Sequence, residues 1–75
     1  MMNIYLITIP DEFVSYDCYD AYVIAAKTRQ RVKEIAAQSA ADEGADVWHE
    51  NSRIELLATA VHHEEGIILG SFNAG

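Results

Sequence analysis

The stretch from Ala21 to Ala41, AYVIAAKTRQRVKEIAAQSAA, constrains the fold more than any other part of the chain. Its first six residues form a short apolar run, which is typical of a strand. From about Arg29 onward, apolar and small side chains recur three and four residues apart, which is the spacing of a helix with one buried face. That face is predicted to contain Val32, Ile35, Ala36, Ser39 and Ala40. Thr28 is a suitable N-cap, so we expect a strand followed directly by a helix that ends near Ala41.

Three other segments are predicted to be strands. Asn3–Ile9, NIYLITI, is rich in β-branched residues and contains no glycine or proline, and both of its faces are apolar, as expected for a central strand. Arg53–Thr59, RIELLAT, alternates as a strand does, although its Glu, Leu and Ala residues also favour a helix. Ile67–Phe72, IILGSF, is the last predicted strand, and Gly70 within it indicates a bulge or a close backbone approach.

The segments between these elements have the composition of loops. Asp11–Asp20 is predicted to be a loop or a loose hairpin connection, and Gly44 suits the left-handed residue that ends a helix. Ala45–Ser52 is expected to be an irregular connection and His62–Gly66 a turn. We therefore predict one α+β domain over residues 1–75, ordered β-β-α-β-β, with one helix packed on a mostly antiparallel four-stranded sheet. A β-grasp-like wiring and a plain two-hairpin sheet both satisfy this order.

The charge balance limits the kinds of partner. Twelve acidic and five basic residues give a formal net charge of −7, which opposes binding to nucleic-acid phosphates and to anionic membrane surfaces. No apolar stretch approaches the roughly 18 residues of a membrane span. The N-terminal segment also lacks the basic start of a signal peptide. We expect a cytoplasmic protein without a membrane or direct nucleic-acid partner, and its acidic charge is compatible with a basic protein partner or with simple solubility.

The loop Asp11–Asp20, DEFVSYDCYD, is the first candidate site. It contains four acids, three aromatic residues and no base. Tyrosine is favoured at protein interfaces, and carboxylates attract a basic surface. The predicted partner-binding residues are Asp11, Glu12, Tyr16, Asp17, Tyr19 and Asp20. In the alternative interpretation, Tyr22 and one of the loop tyrosines only cover the sheet.

A secondary basic spot is formed by Lys27, Arg29, Arg31 and Lys33. These residues are four of the five bases in the chain and lie within seven positions that contain no acid. Cations are unfavourable in the first turn of a helix, so a binding role for a phosphate or an acidic partner is one interpretation. The favoured interpretation is a solvated face that neutralises the nearby acidic loop.

The sequence contains no pattern that indicates catalysis or a metal. His49-Glu50 and His62-His63-Glu64-Glu65 lack the H-E-x-x-H spacing of a zinc site. Cys18 lies between Asp17 and Tyr19, and this acidic setting opposes a nucleophilic thiolate. The four glycines are scattered and form no phosphate loop. We expect no catalytic residues, no metal site and no cofactor, and therefore a protein that is not an enzyme.

Three segments resemble a known group of proteins. YDCYDAYVIAA at Tyr16–Ala26, DEGADVW at Asp42–Trp48 and the ending GIILGSFNAG at Gly66–Gly75 are similar, in order and spacing, to small proteins of actinobacterial phages and related bacterial genomes. The resemblance covers nearly the whole chain, and the SFNAG ending and the doubled Tyr-Asp are its most specific parts. The basic start of the helix departs from the family, in which acidic residues are expected. The resemblance implies a phage or prophage accessory protein.

Functions of different classes fit these observations. The first is a non-enzymatic protein-binding module, in its specific form an inhibitor of a host nucleic-acid-handling or defence complex, of the anti-CRISPR type. The second is a self-assembling structural or particle-associated phage protein, which would be a homo-oligomer. The third and weakest is a small-ligand or nucleotide-binding protein that uses the basic spot.

Overall fold

The computed structural model describes residues 1–74, which form four strands and two helices. In chain order they are β1 (Met2–Thr8), β2 (Cys18–Ala26), α1 (Arg29–Gln38), α2 (Ala45–Glu50), β3 (Arg53–Val61) and β4 (Gly66–Asn73). A 3₁₀ turn, Asp11–Phe13, lies between β1 and β2. The predicted α+β class, with one main helix on a four-stranded sheet, is confirmed.

All four strands belong to one sheet, in the order β3-β1-β2-β4, and every neighbouring pair is antiparallel. β1 and β2 form the central hairpin, with Leu6 opposite Val23. β3 and β4 join opposite sides of that hairpin, so they are not neighbours although they are consecutive in the chain. The arrangement is therefore neither a pair of adjacent hairpins nor a β-grasp-like wiring, whose central strands are parallel.

Two predicted boundaries are wrong by three residues, and one predicted connection contains a helix. β2 begins at Cys18 rather than at Ala21, because Cys18 pairs with Asn73 and extends the strand into the acidic segment. α1 ends at Gln38 rather than near Ala41. The predicted connection after Gly44 contains a second helix, α2. Gly44, with a φ of 85°, is the residue that precedes α2 and does not end α1.

The buried face of α1 is the predicted one. Val32, Ile35 and Ala36 are buried, and the Thr28 side chain accepts a hydrogen bond from the Arg31 amide at 3.1 Å. The core between the helices and the sheet consists of Tyr5, Ile7, Ile9, Tyr22, Ile24, Ala26, Val32, Ile35, Ala36, Val47 and Trp48. α1 and α2 therefore cover one face of the sheet, mainly over its two central strands.

The centre of the core contains a line of aromatic rings. Tyr22 lies between Trp48, at 4.9 Å between ring centroids, and Tyr19, at 4.8 Å. Gly70 on β4 faces this line, and a Cβ atom there would be 3.0 Å from the Tyr19 ring and 3.2 Å from the Tyr22 ring. Another part of the chain does approach Gly70 closely, but the neighbouring groups are the two tyrosine rings rather than the backbone that the sequence indicated.

The two outer strands remain largely exposed. On β3, Leu56 and Leu57 are exposed, and on β4 Ile67, Ile68, Leu69 and Phe72 are exposed. None of the helices in residues 1–74 has the length and apolar character needed to cross a bilayer.

Candidate functional site

The acidic side chains concentrate at one end of the sheet. Thr8 at the end of β1 lies opposite Ala21 on β2 and opposite Arg53 at the start of β3, so the β1–β2 connection, the α1–α2 connection and α2 all close this end. These segments contain seven of the twelve acids, and Asp20 at the start of β2 is an eighth; we name these eight acids the acidic end. Its members are Asp11, Glu12, Asp17, Asp20, Asp42, Glu43, Asp46 and Glu50.

The loop at the acidic end is fixed by backbone hydrogen bonds. Asp17 has a φ of 59°, its amide donates to the Asn73 carbonyl at 2.7 Å, and its own carbonyl accepts from the Asp42 amide at 3.1 Å. The Asn73 side-chain amide also donates to the Ser15 carbonyl at 2.9 Å. Asp and Asn tolerate this left-handed conformation better than most residues do. The loop is therefore tied to β4 on one side and to the α1–α2 connection on the other.

Four of the six predicted partner-binding residues are exposed together. Asp11 and Glu12 lie on the 3₁₀ turn, and Tyr16 and Asp17 lie four to five residues farther along the loop. Tyr16 is 71% exposed, which is unusual for an aromatic ring. Phe13, which was not among the predicted residues, is also exposed beside them. We name Asp11, Glu12, Phe13, Tyr16 and Asp17 the acidic-aromatic loop.

The expected exposure of Tyr19 and Asp20 is corrected by the structure. Tyr19 stacks on Tyr22 and contacts Phe72 edge-on at 4.9 Å, so its ring belongs to the margin of the core. Asp20 lies at an irregularity in the pairing of β2 with β4, and its Oδ1 atom is buried without a hydrogen-bond partner among the described residues. Both residues are half-buried because β2 begins earlier than the composition suggested.

Glu43 has a structural role at the acidic end that the sequence did not indicate. Its Oε1 accepts from the Tyr19 amide and the Ala41 amide, each at 3.1 Å, and its Oε2 accepts from the Trp48 indole at 2.7 Å. One carboxylate therefore joins β2, the α1–α2 connection and α2. The sequence signal was weak, because Glu43 is one of several acids around Gly44.

Tyr22 has the clearest change in acidity. Burial raises its pKa well above the ordinary value of 10.0, and the charge of Glu43 and the neighbouring Tyr19 raise it further. Its hydroxyl donates to the Ser39 carbonyl at 3.1 Å. These contacts give Tyr22 a structural role beneath the acidic end rather than a role in proton transfer.

The basic spot forms no ion pair with the acidic loop within residues 1–74, although Lys27 and Arg29 are exposed, as the predicted solvated face requires. The Arg31 guanidinium pairs with Glu65 at 2.9 Å and with Glu34 at 3.2 Å, and these hydrogen bonds raise its pKa. Arg29 donates to the Ile54 carbonyl at 3.0 Å and lies 5.6 Å from the centre of the Tyr5 ring. Within residues 1–74, both ion pairs that form use Arg31 and acids outside the acidic end.

A cavity of about 490 Å³ lies next to Asp11, where β1 ends and β3 begins. Its lining consists of Thr8, Ile9, Pro10, Asp11, Asn51, Ser52 and Arg53. One acid and one base lie in this lining together with the hydroxyls of Thr8 and Ser52, so its side chains can form hydrogen bonds to a bound group. Residues 1–74 bring together no group of three His, Cys, Asp or Glu side chains that would hold a metal.

Comparisons with known proteins add no relative. Neither the protein-family models, nor the curated proteins, nor the solved structures gave a match to this chain.

Proposed function

We propose that this chain is a non-enzymatic protein-binding module whose acidic-aromatic loop docks on a basic surface of another protein. The observation that carries this function is the unpaired charge of the loop. Asp11, Glu12 and Asp17 are exposed and form no ion pair within residues 1–74, while Arg31 is paired elsewhere. Charges that serve only the fold would be expected to have partners within the fold.

The shape of the loop supports the same function. Its backbone is held by Asn73 and Asp42, so little conformational freedom would be lost when a partner binds. Phe13 and Tyr16 are exposed among the carboxylates and supply apolar contact area, which acidic side chains alone lack. The cavity beside Asp11 is large enough to accept a side chain of the partner.

The partner class follows from the charge and from the resemblance to phage proteins. A surface of regularly exposed carboxylates is complementary to the basic grooves with which proteins bind nucleic acid. We therefore propose a host protein or complex that handles nucleic acid as the target, and inhibition of a defence complex, of the anti-CRISPR type, as the biological outcome. The chain would act by occupying the basic groove, without any catalytic step.

The test begins with capture of partners from a host lysate and continues with the purified partner. The binding variant carries Asp11→Asn, Glu12→Gln and Asp17→Asn, which removes three charges and keeps a residue that tolerates the Asp17 conformation. Its matched control carries Glu34→Gln, Glu55→Gln and Glu64→Gln, three acids outside the acidic end.

We expect the binding variant to associate about tenfold more slowly than the control, because complementary charge mainly raises the association rate. Added salt should reduce the difference between the two variants. Equal association rates for both variants, with both folded, would remove the acidic-aromatic loop as the binding surface. Tyr16→Ala should weaken the complex through faster dissociation, since it removes contact area rather than charge.

A further inference from the structure

The two edges of the sheet differ in their protection against pairing. Natural edge strands are usually guarded by charges, proline or bulges. β3 has Arg53 and Glu55, and its register with β1 shifts twice, with Ala60 at a φ of 54°. β4, GIILGSFN, has no charged residue and no proline. Its register with β2 also shifts twice, but only one of the two extra residues, Ile68, lies on β4, and the other is Asp20 on β2.

β4, the edge strand without charges or proline, is also the more apolar of the two edges. Leu69 on β4 is 65% exposed, and Ile67, Ile68 and Phe72 are exposed as well. The outward N–H and C=O groups of an edge strand are available to another strand. In the acidic chain described here, a run of eight residues without charge is a surface that a second copy can approach without repulsion.

We propose that β4 pairs antiparallel with β4 of a second copy across a two-fold axis, joining the two sheets into one of eight strands. The paired strand β4 contains none of the residues of the acidic-aromatic loop, and the dimer goes beyond the function proposed above. The axis would pass near Leu69 and Gly70, the middle of the strand. The interface would consist of backbone hydrogen bonds together with the exposed apolar side chains of both copies.

The charge distribution selects a second copy in the antiparallel orientation. At the start of β4, Gly66 lies opposite Ala25, close to the basic spot Lys27–Lys33. Four bases and three acids (Glu34, Glu64 and Glu65) give that end of the molecule a formal charge of +1, whereas the acidic end carries eight acids. Asn73, at the other end of β4, bonds to Asp17 of the acidic end.

Antiparallel pairing therefore places the acidic end of each copy beside the basic spot of the other. A parallel pairing would place the two acidic ends side by side, and like charges at short range are unfavourable. A charge-free edge alone would accept a strand of any protein, but the opposed ends of this molecule complement each other. We infer that Lys27 and Lys33, which pair with no acid among the described residues, face the acidic end of the second copy.

The first experiment measures the mass of the full chain by sedimentation across a range of concentrations. The test variant is Leu69→Lys, which puts two like charges near the two-fold axis. The matched control is Leu57→Lys, an exposed leucine of the guarded strand β3. Circular dichroism and thermal melting verify that both variants fold, and Ile68→Lys repeats the test at a second exposed position of β4.

We expect the wild-type chain and Leu57→Lys to be dimeric, and the dissociation constant of Leu69→Lys to rise at least tenfold, because opposed like charges destabilise paired strands. A wild-type chain that stays monomeric at about 1 mM would overturn the proposal, because a dissociation constant above that concentration means very weak association. A Leu57→Lys variant that dissociates as readily as Leu69→Lys would overturn the assignment to β4.

The orientation is tested with spin labels at Glu64→Cys in a Cys18→Ser background. At about 3.3 Å per residue, antiparallel pairing around Leu69 and Gly70 places the two labels about 35 Å apart along the strands. Parallel in-register pairing would bring them to neighbouring-strand distance, about 5 Å between backbones. A short distance would contradict the proposed dimer, and a long distance in a chain that Leu69→Lys dissociates would support it.

Discussion

Glu43 accepts hydrogen bonds from donors in three parts of the chain: the Tyr19 amide, the Ala41 amide and the Trp48 indole. Its side chain thus holds together a region that the sequence predicted to be an irregular connection. Composition could not identify it, because the donors are separated from it by up to 24 positions and become its neighbours only after the sheet and helices pack.

Replacement of Glu43 by alanine should lower the free energy of unfolding by about 2–4 kcal/mol, since three donors lose a charged acceptor. Hydrogen bonds to charged groups contribute about 1.5–3 kcal/mol each, and part of this loss is recovered when the freed donors find other partners. Glu43→Gln should cost less, because its amide oxygen still accepts. Glu50→Ala, an exposed acid of α2, is the control. Urea denaturation measures all three, and equal stability of Glu43→Ala and Glu50→Ala would contradict the role given to Glu43.

Tyr22 should make the stability of the fold depend on pH in the alkaline range. Its pKa is raised in the folded state, so its contribution is fully present below the ordinary value of 10.0. As the pH rises above that value, the unfolded chain ionises while the folded chain retains the proton, and stability falls. Urea midpoints measured from pH 8 to 11 should fall more steeply for the wild type than for Tyr22→Phe, and parallel curves would refute this assignment.

The sequence predicted some helices and strands more accurately than others. β1 was predicted from a run of apolar and β-branched residues without glycine or proline, and the buried face of α1 from apolar residues three and four positions apart. β2 was placed three residues too late, because the acids around Cys18 hid the strand and an irregularity at Asp20 puts Tyr19 and Tyr22 on the same face. α2 was missed, since six residues are too few to show a helical period.

The buried face of α1 has a direct test. Ile35 is 7% exposed and lies in the core between Val32 and Ala36, so Ile35→Ala should lower the free energy of unfolding by about 2–4 kcal/mol, as truncations of buried isoleucine do. Glu34 is adjacent in sequence but lies on the outer face, where its bridge to Arg31 is exposed. Glu34→Ala should therefore change stability by less than about 1 kcal/mol, and equal losses for the two variants would show that the face is wrongly assigned.

At the scale of the whole molecule, the strand order and the separation of charge were beyond the sequence. The order depends on which distant strands pair, and β3 and β4 are separated by only four residues yet lie on opposite edges. The acidic end likewise gathers carboxylates from segments as far apart as Asp11 and Glu50. The sequence predicted an acidic and aromatic segment over Asp11–Asp20; the fold places its last three residues in β2 and brings the carboxylates of the α1–α2 connection and α2 to the same end.

The same charge separation predicts how the molecule behaves toward nucleic acid. A protein that binds duplex DNA without sequence preference uses several Lys and Arg contacts to phosphates. Here the net charge is −7, and two of the four bases in the basic spot are occupied, Arg29 by the Ile54 carbonyl and Arg31 by two carboxylates. Lys27 and Lys33 are the remaining cations of the spot, which is too few for useful affinity.

We therefore expect no shift of duplex DNA or RNA in gel electrophoresis at about 150 mM salt, even with the protein at about 100 μM, which lies within the range of ordinary non-specific binding. The control variant carries Lys27→Glu and Lys33→Glu and should behave like the wild type. A salt-sensitive shift that the variant loses would identify the basic spot as a nucleic-acid site and replace the basic protein partner proposed for the acidic end. A shift that persists in the variant would indicate contacts through Arg29, Arg31 or Arg53, and would equally contradict this prediction.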